Sequence, residues 1–398
     1  MEYKFSDRIS ALQPSIIREI LKGTGGTDII PFAAGNPAAE SFPVNEMSQI
    51  AAELFASSPA AALQYGITEG YPVLREQTRI RMQEKYSVGN DDIDDTLIVS
   101  GGQQGIELAA KVLCNEGDTV ICESPSFIGA LNAFRSYNLN LKGVDLENDG
   151  MDLDKLEAIL KNDSKVKLLY VISTFQNPSG VTTSLEKRKA LLELADKYDF
   201  IIIEDSPYFE LRYSGDYVPP IKALDKNGRV IFAGSYSKVL APGIRMGFAT
   251  APKPIASKMT VAKQVSDVHT NQFFQMLVSE FLKKHSIDAH IDSIKNLYRV
   301  KRDRMMDAVK AYFPEEITVN RPDGGLFLWC MMPKGYDSAA FCKTLAPYKV
   351  AAVPGAAFVI DQSEISSGIR LNFSLPTLEQ IDRGIASLAE AAKCFIRK

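Results

Sequence analysis

From about Val44 to Pro254, stretches with apolar residues at helical spacing alternate with short unbroken apolar runs. LREQTRIRMQEKY (Leu74–Tyr86) has the three-and-four spacing of an amphipathic helix, and TLIVS (Thr96–Ser100) follows as a strand. GQQGIELAAKVL (Gly102–Leu113) is helical again, TVICES a strand, and SFIGALNAFRSY a further helix. LNLKGVDL, MDLDKLEAIL, KLLYVIST, SLEKRKALLELADKY and FIIIED carry the alternation on, and RVIFAGSYS and RMGFATA complete it. Unbroken apolar strands separated by helices predict a mainly parallel sheet covered by helices on both faces. Ligands of such sheets bind beyond the carboxyl ends of the strands.

After Pro254 the pattern changes. A long helical region (about Ile255–Tyr312) leads to GGLFLWCMMP, the helix AAFCKTLAPY, the short strands VAAVPG and IRLNFS, and a closing helix from Thr377. This predicts a smaller α+β domain. The first 43 residues hold a helix-like piece, PSIIREILK, and the loop FAAGNPAAESFP, too little for a domain. The expected division is an N-terminal segment, 1–43, joining the small domain, a large domain, 44–285, and a small C-terminal domain, 286–398.

Composition removes several function classes. The 398 residues are 45% hydrophobic and 24% charged, a globular balance with a net charge of −4. Basic residues are scattered, and Lys161–Lys167 and Arg299–Arg304 are expected to be solvated helix faces, so no nucleic-acid surface is predicted. No run reaches the roughly 18 to 20 apolar residues of a membrane helix, and MEYKFSDRISALQ lacks a signal peptide's apolar core. A cytoplasmic protein is expected. Five cysteines without CxxC spacing predict reduced, mostly buried thiols. The three histidines, His269, His285 and His290, suggest surface positions and no metal site. A chain so poor in histidine needs another group to move protons.

The candidate is in Ser235-Tyr236-Ser237-Lys238-Val239-Leu240-Ala241-Pro242-Gly243-Ile244-Arg245. A lysine just past an apolar strand can form an imine with an aldehyde cofactor. The serines and the planar fork of Arg245, aimed by a Pro-Gly turn, are donors that a phosphate needs. An ordinary surface lysine is the plain alternative. Asp205 ends the strand FIIIED, where a carboxylate could face a pyridine nitrogen or simply make a turn or helix cap. Tyr208 and Asn177 could bond a phenolate oxygen, or be a packed aromatic and a turn residue. Ser100-Gly101-Gly102-Gln103 joins a strand to a helix whose N-terminus suits an anion.

Four such strand-end sites in this order, with flanking segments along the whole chain, are more specific together than any one. PSIIREIL, FAAGNPAAESFP, LQYGITEGYPVLRE, SGGQQGIEL, TFQNPSG, EDSPY, SYSKVLAPGIRMGF, RPDGGLFLW and GIRLNFS resemble the class I/II, fold-type-I pyridoxal-phosphate (PLP) aminotransferases. The resemblance is greatest to the branch holding 2-aminoadipate/kynurenine aminotransferases and the aminotransferase-like domains of MocR regulators.

The resemblance implies the α/β fold of that group, a mainly parallel seven-stranded sheet with helices on both faces plus the smaller α+β domain. It implies that Lys238 carries PLP as a Schiff base and later shuttles the substrate proton. Asp205 would pair with the pyridinium, and Asn177 and Tyr208 would bond the phenolate oxygen. Gly102, Gln103, Ser235, Ser237 and Arg245 would hold the phosphate, with Tyr65 reaching it from the other subunit of a homodimer with shared active sites. Phe127 would stack on the ring, where many relatives have tyrosine. Arg370 would clamp the α-carboxylate, with Asn177 beside it and Gly35 and Asn36 closing from the N-terminal loop. Alanines precede Gly35 where relatives often carry a glycine pair, which changes the mouth of the site.

The implied activity moves the amino group of an aromatic, 2-aminoadipate-like or aliphatic L-amino acid to a 2-oxo acid, with 2-oxoglutarate the expected acceptor, by a ping-pong route. A PLP-dependent carbon–sulfur β-lyase shares nearly every motif, and a non-catalytic MocR-like effector domain shares the fold. The short stretch before Gly35 and the acidic charge weigh against the latter.

Overall fold

A computed structural model describes residues 3–10, 28–361 and 363–397, with positions 12, 14, 16, 19 and 20. Most of the helix expected at PSIIREILK lies outside the described residues. The strands are β1 (Ile30–Pro31), β2 (Asp94–Val99), β3 (Thr119–Ser124), β4 (Asn140–Glu147), β5 (Gly150–Met151), β6 (Val166–Val171), β7 (Ile201–Ser206), β8 (Val230–Ser235), β9 (Gly247–Pro252), β10 (Thr318–Val319), β11 (Phe327–Met331), β12 (Val350–Ala351), β13 (Val353–Pro354) and β14 (Gly368–Asn372).

The large sheet runs β2-β9-β8-β7-β6-β3-β4-β5. Pairings from β8 through β4 are parallel, while β9 runs antiparallel to both its neighbours. Seven strands have six or more residues, as expected, and the two-residue β5 adds an eighth by folding back antiparallel on β4. The apolar runs are unbroken because both faces are covered: every residue of β9 and all but the last of β3 and β8 is buried. Each fully buried valine or isoleucine in such a strand contributes roughly 1.5–3 kcal/mol. A second, antiparallel sheet, β10-β11-β14-β13, packs with the long helices Ile287–Tyr312 and Leu378–Ile396, and β1 pairs with β12 beside it.

Three expectations need correction. The helical region after Pro254 is three helices, Lys253–Gln264, Gln272–Lys284 and Ile287–Tyr312. Val268 in a left-handed conformation breaks the first from the second, and Asn271 and Ser286 cap the next two by accepting from Phe274 N and Ala289 N. His285 and His290 are half-buried, their rings 5.2 and 5.9 Å from the Phe281 ring. The stretch Arg299–Arg304 is a solvated face only in part, with Arg299 and Arg304 exposed. Lys301 and Arg302 are buried, Lys301 donating to Ser374 O (2.8 Å) and Arg302 to Pro322 O (3.0 Å) and Ser214 Oγ (3.1 Å). Their long stems cross the core so that the charged heads can tie the loops at 214, 322 and 374.

Cys122 and Cys330 are buried, Cys114 and Cys342 half-buried and Cys394 exposed, and all five are free. Among the described residues no helix is long and apolar enough to cross a membrane, and no cluster of metal-ligating side chains exists.

Truncating Arg302 leaves the buried Pro322 carbonyl without this donor and removes a second bond, to the half-buried Ser214 hydroxyl. Arg302→Ala should therefore lower stability by about 2–4 kcal/mol. Urea unfolding followed by circular dichroism measures it, and an unchanged midpoint would refute this account.

Candidate active site

The parallel strands β2, β3, β6, β7 and β8 all end at one edge of the sheet, and β9, being reversed, begins there. Residues far apart in sequence meet at this edge for that reason alone. One cavity of about 490 Å³ is lined by Gly102 and Gln103 after β2, Phe127 after β3, and Ile172 and Asn177 after β6. Asp205 at the end of β7 and Tyr208 beyond it, Ser235 at the end of β8, Ser237 and Lys238 after it, and Arg245 before β9 share the same lining. Gly35 and Asn36 of the N-terminal loop and Phe327 and Arg370 of the antiparallel sheet close it. A larger cavity of about 760 Å³, between the Ser124–Pro125 turn and Trp329, holds none of the expected residues.

Lys238 Nζ donates to Gly35 O at 2.9 Å. Burial first, then the nearby guanidinium groups of Arg370 and Arg245, lower its pKa to about 8. Asp205 lies opposite in electrostatic character. Burial pushes its pKa up to about 7, opposed by the Tyr170 hydroxyl, which donates to Oδ2 at 2.7 Å. Burial likewise raises the Tyr208 phenol.

Arg245 follows the short 3-10 turn Pro242–Ile244 and itself has φ +52°, a conformation sparsely used outside glycine. Its Nη2 donates to Ser100 O at 3.2 Å, placing the fork against the N-terminus of the helix Gly102–Leu113. Gly101, which precedes that helix, has φ +84°, and a Cβ there would stand 2.3 Å from Arg245 Nη2. Glycine permits both the turn and the arginine's approach.

Arg370 is central to β14 and only 2% exposed. Nη1 donates to Asn177 Oδ1 (3.0 Å), and Nη2 to Ala33 O (3.2 Å) and Ala34 O (3.4 Å). The guanidinium carbon lies 4.2 Å from the Phe327 ring centre and 5.1 Å from that of Phe358. Nε is buried without a partner, no described carboxylate pairs with the charge, and burial brings the pKa down to about 10.

Of the residues expected at the site, Tyr65 alone is elsewhere. It is 81% exposed, edge-on to the His269 ring at 5.7 Å. Phe327, Phe358 and Tyr170 were not anticipated. Phe327 and Tyr170 sit inside apolar runs, GGLFLW and KLLYVIS, where an aromatic is indistinguishable from core by spacing.

A sequence profile described as "Aminotransferase class I and II" matches residues 27–388. The aromatic-amino-acid aminotransferase 1 of Thermococcus litoralis is 40% identical, over 100% of this chain and 96% of the relative. The kynurenine aminotransferase of Pyrococcus horikoshii, solved with PMP, superposes with a TM-score of 0.94 at 39% identity, covering 98% of this chain and 96% of that one. The alpha-aminoadipate aminotransferase of Thermus thermophilus, solved with N-(5'-phosphopyridoxyl)-L-leucine, gives 0.89 at 34%, covering 99% and 98%. The chain belongs to the class I and II aminotransferases. It is an enzyme of fold type I whose cofactor is PLP.

The lining fits that cofactor. Three cations, Lys238, Arg245 and Arg370, face a cavity in which Asp205 is the one acid among the described residues. Such an excess suits a ligand bearing a phosphate and a carboxylate.

A lysine whose pKa is lowered loses its proton above about 8 rather than above its usual value near 10.5. Trapping PLP on the cofactor-free protein with borohydride should accelerate as pH rises from 6 to 9, with a midpoint near 8. The mass increase should map to Lys238 and vanish in Lys238→Ala. A midpoint near 10, or labelling that persists in the variant, would count against this assignment.

Proposed function

We propose that the chain moves the amino group of an L-amino acid with an aromatic, 2-aminoadipate-like or aliphatic side chain to a 2-oxo acid, with 2-oxoglutarate as acceptor, by a ping-pong route. The observation that carries the reading is that Lys238 and Asp205 line one cavity with Arg370.

When bound, PLP supplies an aldehyde carbon for the amino group and a ring that draws electrons from the substrate α-carbon. Lys238 would hold the cofactor and, as a free amine, would supply the base that moves the substrate α-proton. An amine with a pKa of about 8 is suited to both directions near neutral pH. Asp205 would meet the ring nitrogen and favour its protonated form. Asn177 and Tyr208 would hold the phenolate oxygen, and Phe127 would pack on the ring.

The N–H groups of Gly102 and Gln103 at the helix N-terminus, the hydroxyls of Ser235 and Ser237 and the Arg245 fork hold the phosphate. Arg370 receives the substrate carboxylate. Its buried, unpartnered Nε and the absence, among the described residues, of a carboxylate beside it support that role. Gly35 and Asn36 exclude water above the reacting atoms. Relatives named as aromatic-amino-acid, kynurenine and alpha-aminoadipate aminotransferases support the aromatic and 2-aminoadipate-like classes, and the leucine adduct in the Thermus structure supports the aliphatic one. The domain boundaries 1–43, 44–285 and 286–398 remain our proposal, supported by the β1–β12 pairing that ties the N-terminal segment to the C-terminal part.

We further assign Tyr65 to the phosphate of a neighbouring subunit. The exposure of Tyr65, with Leu63 at 72% and Val265 at 79%, supports a homodimer formed on this face.

A panel of amino donors with 2-oxoglutarate, read as glutamate formed, should show turnover with phenylalanine, 2-aminoadipate or leucine. Arg370→Ala should lower kcat/KM by roughly a hundredfold for donor and acceptor alike. Pyruvate released from cystathionine without glutamate formation would replace the transfer reading with β-elimination.

Shared sites have a separate signature. Tyr65→Ala and Lys238→Ala are each expected to be defective alone. Mixed dimers of the two should regain one intact site, and a mixture with no more activity than its parents would exclude the shared arrangement.

A further inference from the structure

We propose that Tyr170 is a positioning residue for Asp205, its hydroxyl holding one carboxylate oxygen so that the other is presented to the ring nitrogen of the cofactor. The inference rests on the role given to Asp205 above, and it concerns a side chain that touches neither cofactor nor substrate.

Tyr170 is on β6, paired with Ile203 of β7 on one side and Cys122 of β3 on the other, at the centre of the sheet. The side chain is fully buried, and its ring meets that of Phe134 edge-on at 5.6 Å. It does not line the cavity; Asp205 does. The hydroxyl donates to Asp205 Oδ2 at 2.7 Å. The other oxygen, Oδ1, points towards Gly102, 3.7 Å from where a Cβ would stand on that residue. One oxygen is thus occupied from beneath the sheet edge and the other is turned to the cavity. The terminal torsion of an aspartate is soft, so without a second contact the carboxylate plane would be free to rotate.

Charge points the same way. Around Asp205 stand Glu123 from the end of β3, Tyr170 from β6, Tyr208 beyond β7, Lys238 beyond β8, Arg245 before β9 and Arg370 on β14. Burial favours the neutral acid, and the Tyr170 hydrogen bond is what opposes it. Glu123, pushed up to about 8 mainly by burial, does not line the cavity and instead accepts from Ile172 N and Gln176 Nε2. Tyr170 is itself held neutral, since burial and Asp205 raise its phenol well above the ordinary range. It can only donate.

The test uses the dimeric holoenzyme loaded with PLP labelled with 15N at the ring nitrogen. In Tyr170→Phe, which keeps the ring packing, the nitrogen should lose its proton about one pH unit lower than in the parent enzyme. The value of kcat should fall roughly tenfold, with KM changing less than twofold. In an Asp205→Ala background the same substitution should change neither quantity by more than twofold. Replacing Tyr170 with 3,5-difluorotyrosine, a stronger donor of the same shape, should instead raise the nitrogen titration, which guards against loss of folding in the phenylalanine variant. An unaltered nitrogen titration in both Tyr170 variants, or equal penalties with and without Asp205, would overturn the proposal alone. An Asp205→Ala enzyme whose ring nitrogen titrates like the parent's would overturn the role of Asp205 and this inference with it.

Discussion

The Arg370 guanidinium is strung between the turn at Asn177, the carbonyls of Ala33 and Ala34, and the rings of Phe327 and Phe358. It therefore joins four distant stretches of chain around one buried charge. Taking a cation out of water costs several kcal/mol unless opposite charge and hydrogen bonds compensate. Here the protein supplies neutral acceptors and two aromatic faces but no carboxylate among the described residues. The remaining demand falls on whatever occupies the cavity, so the same contacts that close the fold leave an opening for an anion of one shape.

The rest of the site obeys a related logic. Parallel strands deliver their last residues to a common edge, and two of them, β7 and β8, bring groups that burial has pushed away from their ordinary titration. Lys238 is made easier to deprotonate and Asp205 easier to protonate, in both cases because water is excluded. Neither shift needs an unusual residue. Both need the low-polarity floor that the packed strands provide, which ties catalytic poise to the stability of the sheet beneath it.

Much of this was legible before any coordinates. Apolar runs that stop at a polar residue announce strand ends, so Asn177, Asp205 and Lys238 stood out, and the sheet they belong to followed from the same alternation. The aromatic cradle of Arg370 and the Tyr170 contact stayed hidden because a tyrosine or phenylalanine within an apolar run has the same pattern whether it fills core or holds a polar group. Lys301 and Arg302 misled for the opposite reason. Charges on a helix ordinarily mean solvent, and nothing local reveals that loops at 214, 322 and 374 will fold over them. Tyr65 fits neither category, since a single chain cannot display the surface against which it is expected to act.

The reversal of β9 has an outcome for how this enzyme can vary. Lys238 and Arg245 lie on one connection, the eleven positions 236–246 between β8 and β9, and both flanking strands are locked in register at Ser235 and Gly247. An inserted or deleted residue there would displace the amine and the fork together, whereas the other loops at this edge each carry their groups separately. Length changes should thus be tolerated poorly in this hairpin loop, which behaves as a ruler of fixed span.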